Sequence, residues 1–288
     1  MQNLYLNSLQ IHSSTQDLGF VINNNYQGFD NPVGRTPNYD KPGEHGNVVS
    51  NWLWSARTLQ IPGRVSGATI SEYNLNRRTL QNALRIIKDA NGVSQPILMS
   101  FTTDDGLQLQ ANVYGQDGQQ PVQFMEKSPN HANFILSLFA PDYRFYSQSQ
   151  QSATIGLPVG GGVTLPVILP VTFPAATGGQ QTVTNAGDEN TPFVLTFYGP
   201  LTSPFITNLT TGESFNVNLT LNTGDVLVID MAKKSMVLNG VSNALSNFVL
   251  SNIWMQLISG DNLIKLGSGL SSDTGYALLK FNSAYLGI

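Results

Sequence analysis

"FILSLFAPDYRFY", residues 134–146, decides what kind of protein this sequence describes. As a buried strand it would deliver a carboxylate, Asp142, and a guanidinium, Arg144, to a site, and the chain would be an enzyme. As the last strand of a domain it would be stopped at Ala140-Pro141-Asp142, and the chain would be a building block. Pro141 has no N–H for a sheet ladder and restricts the residue before it, so the strand ends there. The residues C-terminal to it favour the second reading. "SQSQQS" (147–152) runs into "GLPVGGGVTLPVILPVTFPAATGGQQ" (156–181), with prolines at 158, 166, 170 and 174. A segment so rich in proline cannot be a central strand and reads as an extended linker or a surface-hugging stretch. The expected organisation is therefore a first domain over 1–146, and a linker with a second domain over 147–288.

Most of the remaining chain has the two-residue period of strands. "RTLQIPGRV" (57–65), "PILMSF" (96–101), "LQLQANVYG" (107–115) and "NFILSLFA" (133–140) supply the first half, with Asp104-Asp105-Gly106 as a turn between two of them. In the second half "FNVNLTL" (215–221) puts Phe215, Val217, Leu219 and Leu221 on one face. "DVLVID" (225–230) is a continuous run, as expected of a strand buried on both faces. "MVLNGVSNAL" (236–245) contains Asn239-Gly240, the pair best suited to a two-residue hairpin turn. One segment has a helical period instead. Residues 71–90, "SEYNLNRRTLQNALRIIKDA", place Leu80, Ala83, Leu84 and Ile87 on one stripe, Thr69 and Glu72 fit a capping box, and Asn91-Gly92 supplies a stop. At roughly 100° per residue, Arg77, Arg78, Arg85 and Lys88 fall on the opposite side. That basic stripe is either a solvated face or a docking face for an acidic neighbour.

Composition narrows the function. The chain has 288 residues, enough for two ordinary domains with proper cores. Only 11% of them are charged, against roughly 25% in an average globular protein. Asn, Gln, Ser and Thr supply the polarity, which gives a hydrated surface with few charges to repel a neighbouring copy. The net charge of −4 offers no basic field for nucleic acid. Without cysteine there are no disulfides, thiolate metal sites or cysteine nucleophiles. The start "MQNLYLNSLQIH" lacks the charged and apolar regions of a signal peptide, and no apolar run approaches the ~18–20 residues of a membrane span. A soluble product of a cytoplasm is expected.

No catalytic constellation emerges. His12, His45 and His131 stand apart, without metal-ligand spacing. "PVGGGV" (158–163) lacks the G-K-[ST] of a phosphate loop, and no G-x-S-x-G occurs. Asp104-Asp105 and Asp225/Asp230 offer paired carboxylates, but they fall in a turn and at strand ends, where turn chemistry explains them. Trp52 and Trp54, two residues apart, share a face of a strand and are a candidate interface as much as a core element. Trp254, in "NIWMQLI", sits among apolar neighbours that favour burial of its ring. No cofactor or metal site is expected, and no enzymatic activity.

Five stretches carry a resemblance to the distal tail proteins of long-tailed, non-contractile bacteriophages. They are "KPGEHGNVV" (41–49), similar to a P-G-x-x-G turn of that family; "WLWSARTLQIPGRVSG" (52–67); the single helix at 71–90; "LFAPDYRFY" (138–146), similar to a closing A-P-D-P-x-[FY] run; and the second half. Within that half lie "NAGDENTPFVLTFYG" (185–199), "TNLTTGESFNVNLTLNTGDVLVID" (207–230), the Asn-Gly hairpin and "WMQLISGDNLIKL" (254–266). Tyr143 stands where the family has its second proline, and Ser259 where it has a proline before Gly-x-Asn. The resemblance implies a mainly β chain: an N-terminal β-sandwich with one α-helix, and a C-terminal jelly-roll sandwich like galectins or carbohydrate-binding modules. It implies a homohexameric ring at the tail tip, assembled in the host cytoplasm. The ring would join the tail tube protein and tape measure protein to tail-tip hub or fibre proteins. On this view Pro42, Gly43, Gly46, Trp52, Trp54 and Arg57 are candidate inter-subunit residues. Arg77, Arg78, Arg85 and Lys88 form a candidate basic docking face. "TPNYDKPGEHG" (36–46) would be a loop or hairpin reaching the neighbour, its prolines and glycines unsuited to regular strand pairing. The competing reading is a carbohydrate- or receptor-binding module. A third, a cell-wall hydrolase, needs placed acids or a metal.

Overall fold

The alternation read from the sequence becomes two antiparallel β units in the computed structural model, which describes residues 1–116, 120–158, 178–250 and 253–288. Unit 1 comprises Met1–Gln148 with Tyr285–Ile288, and unit 2 comprises Ser149–Ala284.

Unit 1 is built from β1 (Asn3–Leu6), β2 (Leu9–Ser13), β3 (Phe20–Ile22), β4 (Gly34–Arg35), β5 (Asn38–Asp40), β6 (Asn47–Val49), β7 (Leu53–Trp54), β8 (Arg57–Ser66), helix α1 (Ile70–Ala83), β9 (Ile97–Thr102), β10 (Gln108–Gly115), β11 (Val122–Ser128), β12 (His131–Ala140) and β13 (Phe145–Ser147). Its main strands run in the order β2-β1-β9-β10-β12-β8-β3. β10 joins two layers: Gln108–Val113 pairs with β9, while Tyr114 and Gly115 pair with Phe139 and Leu138 of β12. The longest ladder, β12 on β8, runs from His131↔Ser66 to Ala140↔Arg57. Along β8 every second side chain turns inward, and Leu59, Ile61 and Val65 join Leu4, Met99, Phe101, Phe134, Leu136 and Leu138 in one core. Asp104-Asp105-Gly106 forms the turn between β9 and β10, with Gly106 at a φ of 90° that a side chain disfavours.

Helix α1 starts as its sequence requires. Thr69 Oγ1 accepts from Glu72 N at 3.2 Å, and the Glu72 carboxylate accepts from Ala68 N at 2.8 Å. Tyr73 and Leu80 face the core. The expected span of 71–90 is too long. The helix ends at Ala83, Leu84 is its buried cap, and Ile86 and Ile87 lie exposed. Downstream, Asp89 Oδ1 accepts from Asn91 N (2.9 Å) and Val93 N (2.8 Å), while Gln95 N donates to Ile87 O at 2.7 Å. An aspartate that satisfies nearby main-chain N–H groups in a turn competes with the helix, and two adjacent β-branched isoleucines hold it weakly.

Unit 2 contains β14 (Gln151–Gly156), β15 (Gln180–Asn185), β16 (Phe193–Tyr198), β17 (Leu201–Thr202), β18 (Phe205–Asn208), β19 (Ser214–Asn216), β20 (Thr220–Leu221), β21 (Val226–Asp230), β22 (Ser235–Leu238), β23 (Ser242–Asn243), β24 (Gly260–Gly267) and β25 (Tyr276–Phe281). A six-stranded sheet, β14-β25-β16-β21-β22-β23, and a four-stranded sheet, β15-β24-β18-β19, share a core that includes Phe193, Phe197, Phe215, Leu227, Ile229, Ile264 and Leu279. Three expectations change. The linker expected over 147–181 is interrupted by β14, which pairs with β25 from Gln151↔Phe281 to Gly156↔Tyr276; residues 159–177, with Pro166, Pro170 and Pro174, lie outside the described residues. "DVLVID" is buried on one face only, through Leu227 and Ile229, with Val226 and Val228 half-exposed. "FNVNLTL" is split between β19 and β20, though Phe215, Val217 and Leu221 still point inward. A hairpin forms at Asn239-Gly240, with φ of 52° and 76°, but its connection is three residues long rather than two, since Leu238 pairs with Ser242 and Val241 also lies between the strands.

The helix end is open to a direct check. Leu84→Ala is expected to lower stability by about 2–5 kcal/mol and Ile87→Ala to change it by no more than about 0.5 kcal/mol, measured by urea denaturation. A helix continuing through residue 87 would make the two losses similar.

Candidate interaction surface

The charged residues at the end of β12 are engaged with one another. Asp142 Oδ1 accepts from Arg144 N at 3.1 Å and from Arg144 Nε at 3.0 Å, and Asp142 Oδ2 accepts from Tyr146 Oη at 2.6 Å. Burial, with Asp142 beside it, pushes the Tyr146 phenol's pKa upward, so it remains a donor. The Arg144 guanidinium lies over the Tyr143 ring at 4.9 Å. Asp142 and Arg144 thus fasten the chain that leaves β12.

Arg57, at the start of β8, is only 2% exposed. Its guanidinium donates to four main-chain carbonyls: Tyr143 O at 2.5 Å, Gly28 O at 2.9 Å, Asp30 O and Leu286 O. Its carbon stands 4.3 Å from the centre of the Phe145 ring. Burial pushes the pKa down to about 10 while Asp142 and Asp30 pull it up, so the group is charged at neutral pH. Expected at an inter-subunit contact, Arg57 is instead an internal clamp whose donors are already engaged.

Residues 33–54 build an arm. Gly34↔Trp54 and Arg35↔Leu53 pair in its stem, and Asn38↔Val49, Tyr39↔Val48 and Asp40↔Asn47 pair further out. Regular pairing is therefore present, contrary to expectation. Pro37 falls in the break between the two ladders and Pro42 in the tip, where neither interrupts a ladder bond. Gly43 and Gly46, at φ of 76° and 97°, make the tip turn. From Val33 to Leu53 no residue is buried. Val33, Tyr39, Val48, Val49, Trp52 and Leu53 are all more than half exposed. Trp52 and Trp54 meet at 4.3 Å between ring centres. The Trp52 indole lies on Gly34, where an added Cβ would come within 2.1 Å of its nitrogen. The pair therefore ties the arm's own stem and still shows Trp52 outward.

The expected basic face is divided. Arg77 and Arg78 are on α1, whereas Arg85 and Lys88 lie beyond its end on the exposed 85–95 turn. Arg77 is half-buried, with its guanidinium 5.7 Å from the Phe124 ring. Between the end of α1, this turn, β9 and the end of β10 is a hollow of about 330 Å³, lined by Leu84, Ile86, Ile97, Tyr114 and Pro121 among others. The paired carboxylates serve turns: the Asp105 carboxyl is held below its ordinary pKa by the Thr103 hydroxyl, and that of Asp225 by the Asn239 amide at 2.9 Å. Asp230 accepts from Ala232 N and Lys233 N. Trp254 is half-buried, stacked on Phe248 at 5.0 Å and tilted against Phe215 at 5.4 Å.

Residues 186–285 match the family model of the siphovirus-type tail component, C-terminal domain. No curated protein matches the chain in sequence. The fold is similar to the crystal structure of phage SPP1 Dit (gp 19.1) protein, described as a paradigm of the hub adsorption apparatus in Gram-positive infecting phages. That likeness has a TM-score of 0.66 at 11% identity and covers 98% of each chain. The phage P2 baseplate in its activated conformation with Ca gives a TM-score of 0.49 at 10% identity, again over 98% of each chain. The resemblance read from the five stretches holds, in sequence for most of unit 2 and in fold for nearly the whole chain.

Arg57→Lys keeps a charge but not the fork that serves four carbonyls, and it is expected to destabilise unit 1 by at least about 3 kcal/mol in chemical denaturation. A loss under about 1 kcal/mol would show that the clamp is dispensable.

Proposed function

We propose that this phage-tail structural protein, whose residues 186–285 match a siphovirus-type tail component, assembles as a closed ring of six copies at the distal end of the tail. The family match in unit 2 carries the reading. The solved neighbour's description as a hub adsorption protein supports it through shared fold. The ring would join the tail tube and tape measure proteins on one side to hub or fibre proteins on the other, acting by shape and without catalysis.

Physical features of the chain agree with a part that assembles. Few charges oppose the approach of an identical surface. The arm exposes apolar side chains on a two-stranded ribbon that has no core of its own, and such ribbons are marginal in water unless something packs on them. In a closed ring each copy offers two different patches, so a projection on one copy is covered by a different surface of the next. A glycan-binding reading of unit 2 finds no open stacking face at Trp254, whose ring is engaged by Phe248 and Phe215.

Deleting residues 36–46 is expected to convert the oligomer to monomers in multi-angle light scattering, with unit 1 still folded. An oligomer of unchanged mass after the deletion would remove the arm from the assembly.

A further inference from the structure

The proposed ring leaves open which surface receives the arm, and the chain itself carries one that fits. We propose that the hollow at the end of α1 binds the arm of a second copy. Val48, on the face it shares with its cross-strand partner Tyr39, would lie against Ile86 and Ile87, and the arm's acidic tip beside Arg85 and Lys88. This rests on the ring reading and names the contact that closes it.

Three observations support the assignment. The first is chemistry of like kind. The hollow is lined by Leu84, Ile86, Ile97, Tyr114 and Pro121, and Ile86, Ile87 and Val93 stay exposed beside it at 59–65%. Exposed apolar side chains are thus concentrated both on the arm and around the hollow, and covering one with the other removes both from water. The second is charge. Arg85 lines the hollow and Lys88 is exposed on the turn that follows it, with Asp89 already turned to the main chain of Asn91 and Val93. The arm's tip carries Asp40, Lys41 and Glu44, a net negative charge facing a net positive rim. The third is an unmet hydrogen bond. Gln116 lines the hollow, and its side-chain oxygen is buried without a donor among the described residues. A buried acceptor left unpaired is costly. The open strand edges of the arm, or an indole N–H, would supply the donor.

From Gly34 at the stem to Asp40, the last paired residue before the tip, the chain rises about 3.3 Å per residue, so the ribbon projects about 20 Å. Arm and hollow are different patches of one chain, so the contact is heterologous and repeats from copy to copy until the ring closes.

The chain has no cysteine, so paired thiols can be introduced cleanly. Val48→Cys and Ile86→Cys change exposed positions, and thermal melting checks that each variant folds. With a short bis-maleimide, the double variant is expected to give a ladder of linked multimers ending at the ring. Neither single variant should link to itself, and an equimolar mixture of the two should yield linked dimers. Charge reversal at the rim (Arg85→Glu with Lys88→Glu) should weaken assembly at least tenfold, and Asp40→Lys with Glu44→Lys should restore it. Self-linking of Val48→Cys alone would mean that arms pair with arms, and the proposal fails. A ring that forms in light scattering but never links through residues 48 and 86 overturns the proposal and leaves the ring intact. A chain that stays monomeric throughout overturns both.

Discussion

Unit 1 depends on one buried cation. The Arg57 guanidinium is out of water and has no directly bonded carboxylate. It is stabilised by four carbonyls drawn from the 28–30 segment, the turn after β12 and the last residues of the chain. A charge in that position is costly unless its hydrogen bonds are complete, and here they are distributed over three segments far apart in the sequence. The clamp fixes the base from which β8 starts, and the arm ends three residues before it, at Trp54. Any function assigned to the arm therefore relies on a root held by Arg57, with Phe145 beneath the guanidinium.

The arm is the opposite kind of structure. It has a ladder, an aromatic fastening of Trp52 on Gly34, and no buried residue between Val33 and Leu53. A rigid base with an uncovered apolar projection is a sensible design for a part completed by its neighbours. The low charge of the surface removes the repulsion that would otherwise oppose close packing of identical copies.

How much of this was legible in the sequence depends on where each signal is written. The strands of both units were readable because one buried face imposes a strict alternation, as along β8 and in Phe215, Val217 and Leu221. The cap of α1 and the Asn239-Gly240 hairpin were readable because a few adjacent residues determine them. The end of α1 was not, since the apolar stripe runs past it and only the competing turn around Asp89 stops the helix. Strand β14 was hidden in a polar segment whose partner lies more than a hundred residues away. The clamp at Arg57 is not written in the sequence, because its partners are main-chain carbonyls, which every residue has, so nothing in residues 28, 30, 143 or 286 marks them as ligands. The prolines and glycines of 36–46, read as a loop or hairpin, argue against regular pairing there, yet Pro37 and Pro42 occupy the two places where a hairpin tolerates them.

Electron microscopy of the purified chain in negative stain tests the central claim, that this protein works by associating with copies of itself. The account expects annular particles with a central opening and six-fold averages. Uniform small particles of single-chain size, persisting at high protein concentration, would contradict it.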